Sequence, residues 1–518
     1  MEKYLPCYEK NFFERTEKNV SCEIGLPEYL PNAVKVVKVT ARVRTEECEA
    51  VKDSLHIGGR VEFSVIYLSD FKDKLKCASV SADITHTFPV KGIEDIIKEG
   101  GYFDVCFNVS DEKGQVVSQR KLGASCKVSV CAQVLSVRQT EIFDTEESDN
   151  VHKLCSKAEM LGTVKLPTHE LMAEETIALD EGMSPISEIV FSDCSVSDIS
   201  AQCHDGKIFY DGKMNFRCLY LAKDDEDSGQ YIAFEKELDL TGSTEIPDIP
   251  DGAFIITRAC ISGISADPSE DNYGETSLCS VSVGISLFSK AFFSREAELL
   301  CDAFCTGCEC ECETRNIAYD AFIYGTNESI DVHEDVRANI GSITDIIMKN
   351  ISVSVISSEL SGKTPVFGMR AVMRLLGSNE SGSLESICTS FNFKVQSKHE
   401  VPDCTDRCRM ETEVCVGECG CRIENGEIKC DLSLNVCYCI YARKSVNTVT
   451  ALEVDTESST IRDKAEYILY YPSGNDTVWS CAKMYKVSPK ALIAVNGMGV
   501  SDNDFGQRKV VVIPRSEK

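Results

Sequence analysis

The chain is poor in the residues that mark most catalytic centres. One tryptophan and seven histidines are spread over 518 residues. The histidines fall in no His-Glu-x-x-His pattern, and there is neither a Gly-x-Ser-x-Gly elbow nor a phosphate-cradling glycine loop with lysine. Positive charge is scarce: 54 Lys and Arg stand against 83 Asp and Glu, a formal net charge of -29. That balance opposes nucleic acid and anionic membranes as partners, and favours solubility or a basic protein partner. No apolar run approaches the roughly 18 residues of a membrane span. Met1 to Cys7 carries no basic region followed by an apolar stretch, so no secretory signal is expected. These absences lead us to expect a non-enzymatic protein without cofactors that stays in the compartment where it is made.

Cysteine, by contrast, is plentiful, with 28 residues. Without an export signal, and with domains large enough to form cores, most are expected to be reduced thiols acting as small strand hydrophobes. Cys301, Cys305, Cys308, Cys310 and Cys312 crowd into one short stretch, and two readings stay open. Cys305-x-x-Cys308 could supply half of a zinc site, with Cys404-x-x-x-Cys408 or Cys419-x-Cys421 as the rest. Alternatively, Cys308, Cys310 and Cys312 alternate along one strand face. The loose spacing makes no metal the expectation, with Cys305, Cys308, Cys310 and Cys312 as the candidates otherwise. The acidic run Asp224 to Asp227 lacks the alternating ligands and late glutamate of a calcium loop and reads as a solvated loop.

A hydrophobic content of 43% with 26% charge is globular, and the length suggests three or four domains. Period-two alternation dominates. Val37, Val39, Ala41 and Val43 alternate with Lys38, Thr40, Arg42 and Arg44. Leu55, Ile57, Gly59, Val61, Phe63, Val65 and Tyr67 make a longer strand. Further strands are predicted at 104–108 and 127–134, around Asp111-Glu112-Lys113-Gly114 as turn residues. The long strand returns as Ile208, Tyr210, Gly212, Met214, Phe216, Cys218 and Tyr220, which points to internal duplication. Its glycine is expected at a bulge or a close backbone approach. A third, degraded copy has Ile343-Thr344-Asp345-Ile346-Ile347 answering Ile186-Ser187-Glu188-Ile189-Val190. Gly368 is aligned with Gly212; either a one-residue bulge restores the facing beyond it, or the alignment is off there. The expected organisation is an N-terminal arm at 1–25, β blocks at 26–140, 166–293 and 316–450, and a small unit at 466–515.

That last unit reads strand, helix, helix, strand. Tyr467 to Tyr471 is β-prone and ends at Pro472. Asp476 can cap a helix whose Val478, Cys481, Ala482 and Tyr485 share one face. Ser488, Pro489 and Gly497 bound a second helix, with Leu492 and Val495 facing inward. Val510 to Ile513 is the closing strand. The text Gly474-Asn475-Asp476-Thr477-Val478-Trp479-Ser480-Cys481-Ala482, followed by Gly506-Gln507 and Ile513-Pro514, closely resembles a LysM module. Its turn is one residue longer than usual, and Phe505 replaces the usual proline. The resemblance implies a βααβ fold and a groove between the first strand–helix loop and the second helix–strand loop. In this chain the groove residues are Gly474, Asn475, Asp476, Thr477, Trp479, Asn496, Met498, Asp502 and Gly506. Trp479 can line the groove or pack against the helix.

The three β blocks resemble the SPOCS domain of spore-forming Firmicutes, through the glycine-bearing strand, its Ile/Leu-Tyr ending, and Asp302-Ala303-Phe304 before the third copy. Three copies followed by one LysM resemble the SipL-like family of clostridial spore-coat morphogenetic proteins. The implied fold is mainly β, with three tandem β-sandwich-like domains plus a small α+β module. The implied role is a scaffold on the mother-cell side of the forespore. Its implied partners are the stage IV sporulation protein A ATPase and other coat proteins. The alternative is a cell-wall protein binding N-acetylglucosamine polymers of peptidoglycan through LysM.

Overall fold

The computed structural model describes residues 4–514, except 72–73, 145–149, 224–229, 247, 339–340, 342, 402–407, 425, 456–465, 500–503 and 507. Strands dominate it. The first block contains β1 (Tyr4–Gly25), β2 (Ala33–Val51), β3 (Ser54–Ser69), β4 (Leu75–Pro89), the short helix α1 (Ile93–Lys98), β5 (Tyr102–Ser118) and β6 (Lys121–Glu141). They form two antiparallel sheets, β2-β3-β4 and β1-β6-β5. The second block contains β7 (Val151–Lys165), β8 (His169–Ala178), β9 (Ile186–His204), β10 (Lys207–Ala222), β11 (Tyr231–Glu245), β12 (Phe254–Ser269) and β13 (Leu278–Cys305). Its two strand sets, β9-β10-β11 and β12-β13-β7, are joined by the bridge Phe254–Gln202, and β8 also pairs with β13. The third block contains β14 (Glu309–Val336), β15 (Asp345–Ser361), β16 (Thr364–Ser378), β17 (Leu384–Gln396), β18 (Cys408–Glu424) and β19 (Glu427–Asp455), ordered β15-β16-β17 and β14-β19-β18. The chain ends with β20 (Tyr467–Tyr470), α2 (Val478–Tyr485), α3 (Pro489–Val495) and β21 (Val511–Pro514), the two strands pairing antiparallel.

Each block has its own core, because alternate residues of its middle strands point inward. In the first block Ile57, Val61, Phe63 and Val65 of β3 meet Cys126, Val128, Val130 and Ala132 of β6, all fully or almost fully buried. Each large side chain of this kind contributes about 1.5–3 kcal/mol by leaving water. The same role falls to β10 and β13 in the second block and to β16 and β19 in the third.

Several expectations change. Residues 1–25 are not an arm, since Tyr4–Gly25 pairs with β6 along its whole length. Its charged residues fall on both faces, exposed or half-buried, while Val20 and Ile24 reach the core. The block boundaries at 166 and 316 likewise cut off β7 and the start of β14. In the second block Pro167 separates β7 from β8, where proline cannot donate to the ladder. Asp111 to Gly114 is not a turn but a bulge within β5, with Asp111 at φ 55. The hairpin turns instead at Gln119 and Arg120.

The third copy needs no bulge in β16. Phe63, Phe216 and Met373 pair with Ala41, Cys194 and Ile351 in matching registers. Met369, not Gly368, therefore stands where Gly59 and Gly212 stand, and Phe367 to Leu375 alternate without a break. Gly368 answers Gly58, and the bulge lies in the partner strand, at Val355–Ser357 in β15 as at Thr45–Glu47 in β2. Gly212 is required by a close approach, because a Cβ there would collide with the Asp198 carbonyl oxygen.

Each block touches the other two. Ile66, Leu219 and Leu376, at one matching strand position, meet in an apolar cluster with Val37, Val190 and Met348. Around it the seam is ionic. Asp193 binds Arg42 of the first block and Asn350 of the third. Burial would push its carboxyl up, but Arg42 and Lys38 outweigh that and hold it well below the usual range. Arg374 donates to Glu112 at 2.6 Å and to the Val109 carbonyl at 2.8 Å, and the Glu112 side chain is 0% exposed. Arg258 and Lys290 bind Asp104 at 3.1 and 3.0 Å on one side, and Glu413 and Glu411 at 3.4 and 3.2 Å on the other. Beyond this seam the long strands β1, β7, β13 and β14 continue into a stem packed by Leu5, Met160, Leu299 and Tyr319.

Candidate functional site: the terminal unit and its seat

The terminal unit is organised by its caps. Thr477, not Asp476, is the N-cap of α2. Its hydroxyl accepts from Ser480 N at 3.0 Å, and Ser480 Oγ accepts from Thr477 N at 2.9 Å. Asp476 instead accepts from Tyr470 OH at 2.6 Å and from Ser473 N at 2.7 Å, tying the loop to β20. The Tyr470 hydroxyl and the Ser473 donors hold the Asp476 carboxyl below its ordinary value, and the Tyr470 phenol is pushed up to about 12. Val478, Cys481 and Ala482 are buried as their spacing requires, with Leu492 of α3 beneath them. Val495 does not face inward; it ends α3 and is 45% exposed.

The residues of the implied groove have different fates. Gly474 and Asn475 lie in an exposed turn beside Asp476 and Thr477. Asn496 is a clamp: its Nδ2 donates to the Leu492 and Val512 carbonyls at 2.8 and 2.6 Å, and its Oδ1 accepts from Val512 N at 2.7 Å. Met498 is buried, as is Phe505, which fills the core where a proline would leave space. Gly506 takes φ 56 and donates to Asp504 at 2.8 Å. Thr477 bridges to Asp504, so the two loops meet. Asp502 and Gln507 lie outside the described residues. On the outer face of β20, Tyr467 and Leu469 are exposed, as is Tyr471 just beyond it.

Trp479 points to the scaffold. Its Nε1 donates to Asp302 at 2.8 Å, and its ring meets Phe304 edge-on at 5.0 Å. Lys483 adds a second contact to Asp302 at 2.5 Å, and Lys486 reaches Glu309 at 2.5 Å. One face of α2 thus sits on the β13–β14 hairpin. Asp302-Ala303-Phe304 stood out in the sequence as a lead-in to the third copy, but nothing local marked Asp302 as the partner of a tryptophan 177 residues away.

The described cysteines are free thiols, mostly on strands. Cys305 closes β13, Gly307 turns the chain at φ 97, and Cys310 and Cys312 lie on β14 under the terminal unit. Burial raises the Cys305 thiol, and the neighbouring Cys310 and Cys308 thiols add to the rise. Cys419 and Cys421 cannot complete that group. Cys310 pairs with Val454 at one end of β19, whereas Cys421 pairs with Cys430 near the other, about 80 Å along the strand at roughly 3.3 Å per residue. Cys404 and the Asp224–Asp227 run lie outside the described residues. Among the described residues, the one group of three donors with all ligand atoms within 4.8 Å of one another is the exposed trio His204, Asp205 and Asp251. No described helix is long and apolar enough to cross a membrane.

The fold defines a multi-sheet β protein whose blocks share one seam and seat a small terminal unit. Residues 32–109, from β2 into β5, match the family model described as SipL, SPOCS domain, which connects the chain to sporulation. Neither the curated proteins nor the solved structures provide a match.

Proposed function

We propose that this chain is a non-enzymatic sporulation scaffold that helps assemble the spore coat around the forespore. It docks through its terminal unit, a LysM module, to the stage IV sporulation protein A ATPase. The observation that carries this reading is the SPOCS match over 32–109. The second and third blocks repeat the strand registers of the matched segment, as Phe63, Phe216 and Met373 illustrate, and this supports reading them as further SPOCS copies. The module acts in the mother-cell cytoplasm at the forespore surface. Its α2 face is occupied by the scaffold, which leaves the turn at Gly474 and Asn475 and the apolar strip Tyr467, Leu469 and Tyr471 for the partner. Three blocks and one module on a single chain raise the local concentration of coat proteins bound to it.

The test measures binding of the full chain, and of a version ending at 455, to the ATPase and to N-acetylglucosamine oligomers. The full chain should bind the ATPase, the shortened chain should not, and neither should hold the oligomers. Glycan binding without ATPase binding would overturn the reading in favour of a peptidoglycan-binding protein.

A further inference from the structure

The end of the β18–β19 hairpin gathers three thiols. A bulge between Val416 and Cys419 shifts the register of β18. The Cys419 and Cys421 sulfurs then lie 3.8 Å apart. Cys421 stands directly across from Cys430 on β19, and Cys419 lies one pair further along the same face. On the other side of β19, Glu334 of β14 is the register partner of Cys430. Three strands therefore place Glu334, Cys430 and Cys421 in one row, with Cys419 on the diagonal.

We propose that Cys419, Cys421 and Cys430 bind a thiophilic closed-shell cation, zinc in the first instance, with the carboxylate of Glu334, the register partner of Cys430, offered for the fourth position. The distances suit it. A tetrahedral zinc with sulfurs at about 2.3 Å holds its ligands roughly 3.8 Å apart, the separation already present between Cys419 and Cys421. The group is looser than one with every donor within 4.8 Å of the others, so the cation would draw Cys430 inward. Cys430 is 1% exposed, with Ile428 and Leu432 as buried neighbours on the same face, so a bound ion would be shielded on one side. The cysteines around Cys305 lie too far along β14 to take part.

The test uses the full chain, purified reduced and metal-free, then given zinc alone and desalted. Replacing the two half-buried ligands (C419S/C421S) should remove one equivalent of zinc relative to the native chain, whereas C310S/C312S should leave this site loaded. A second measurement needs no variant. Zinc should slow alkylation of Cys419 and Cys421 in the native chain about ten-fold or more, read peptide by peptide. Unchanged zinc content in C419S/C421S, or unchanged alkylation in the native chain, overturns the proposal.

Discussion

The two seams of this molecule use opposite materials. Where the blocks meet, the charges are inside: Glu112 is fully covered, Asp193 nearly so, and each is matched by a cation from another block. Where the terminal unit meets the hairpin, the charges are on the rim. The Asp302 side chain is 24% exposed and that of Lys483 44%, and one aromatic contact, Trp479 on Phe304, lies beside them. A buried pair is costly to break because the survivor is stranded without water, whereas a rim pair exchanges its partner for solvent. The block seam is therefore built to fix one arrangement, and the terminal seam to hold reversibly.

The largest effect should come from stranding a buried charge. Arg374→Ala removes the one cation hydrogen-bonded to Glu112, leaving only the more distant charge of Lys38, and should cost about 3–5 kcal/mol in urea unfolding. Arg374→Met combined with Glu112→Gln should recover most of that loss. A double variant as unstable as the single would mean that the pair matters for packing rather than charge.

Acid should act on the same seam. Asp104 and Asp193 have folded-state values held far below the unfolded one by Lys290 and Arg258 and by Arg42 and Lys38, against the opposing effect of burial. For a depressed carboxyl the stabilisation is present above the unfolded value, about 3.9, and is lost as pH falls toward the folded value. Thermal unfolding should thus be flat above about pH 5 and fall steadily below about pH 4. A stability that rises on acidification would contradict the ionised seam.

Two carboxylates of one cluster should then diverge. Burial raises Glu413 despite Arg258, with Asp104 adding to the rise, so its charged form is less favoured than that of an exposed glutamate. Glu413→Gln should be within about 1 kcal/mol of the native chain, while Asp104→Asn should cost about 2 kcal/mol or more. Equal losses would show that the two carboxylates are equivalent members of the network.

The smallest effect belongs to the terminal seam. Asp302→Asn should change global stability by about 0–1 kcal/mol, in keeping with exposed pairs. Trp479 is the sole tryptophan, so its fluorescence reports this contact alone. The variant, or high salt on the native chain, should shift emission to the red. Unchanged emission in both would mean that Phe304 holds the ring without the charges.

How much of this was legible beforehand varied with locality. The strand at 55–67 and its counterpart at 208–220 were visible because a face buried on one side imposes period two. β1 gives no clean period-two signal, because Glu, Lys and Arg stand at adjacent positions on both of its faces, and its pairing partners lie 96 to 137 residues away. Gly368 was misaligned because one glycine beside another position's bulge looks the same in text, and only the register distinguishes them. In the terminal unit the helices and their apolar faces are readable, whereas the bonding of the Asn496 amide to Leu492 and Val512 has no local signal. Asp302 as the seat of Trp479, and Glu112 as a buried ion rather than a turn residue, had no local signal at all.

By itself the sequence determined the glycine-bearing middle strands of the first two blocks and the strand–helix–helix–strand unit at 466–515. These follow from short-range alternation, capping chemistry and backbone freedom. Only the tertiary structure decided that the blocks meet around Ile66, Leu219 and Leu376, that buried carboxylates lock the seam, that three thiols share one corner, and that the tryptophan faces its own scaffold. Each of these depends on residues far apart in the chain, whose meeting is set by strand register and block packing rather than by neighbours in sequence.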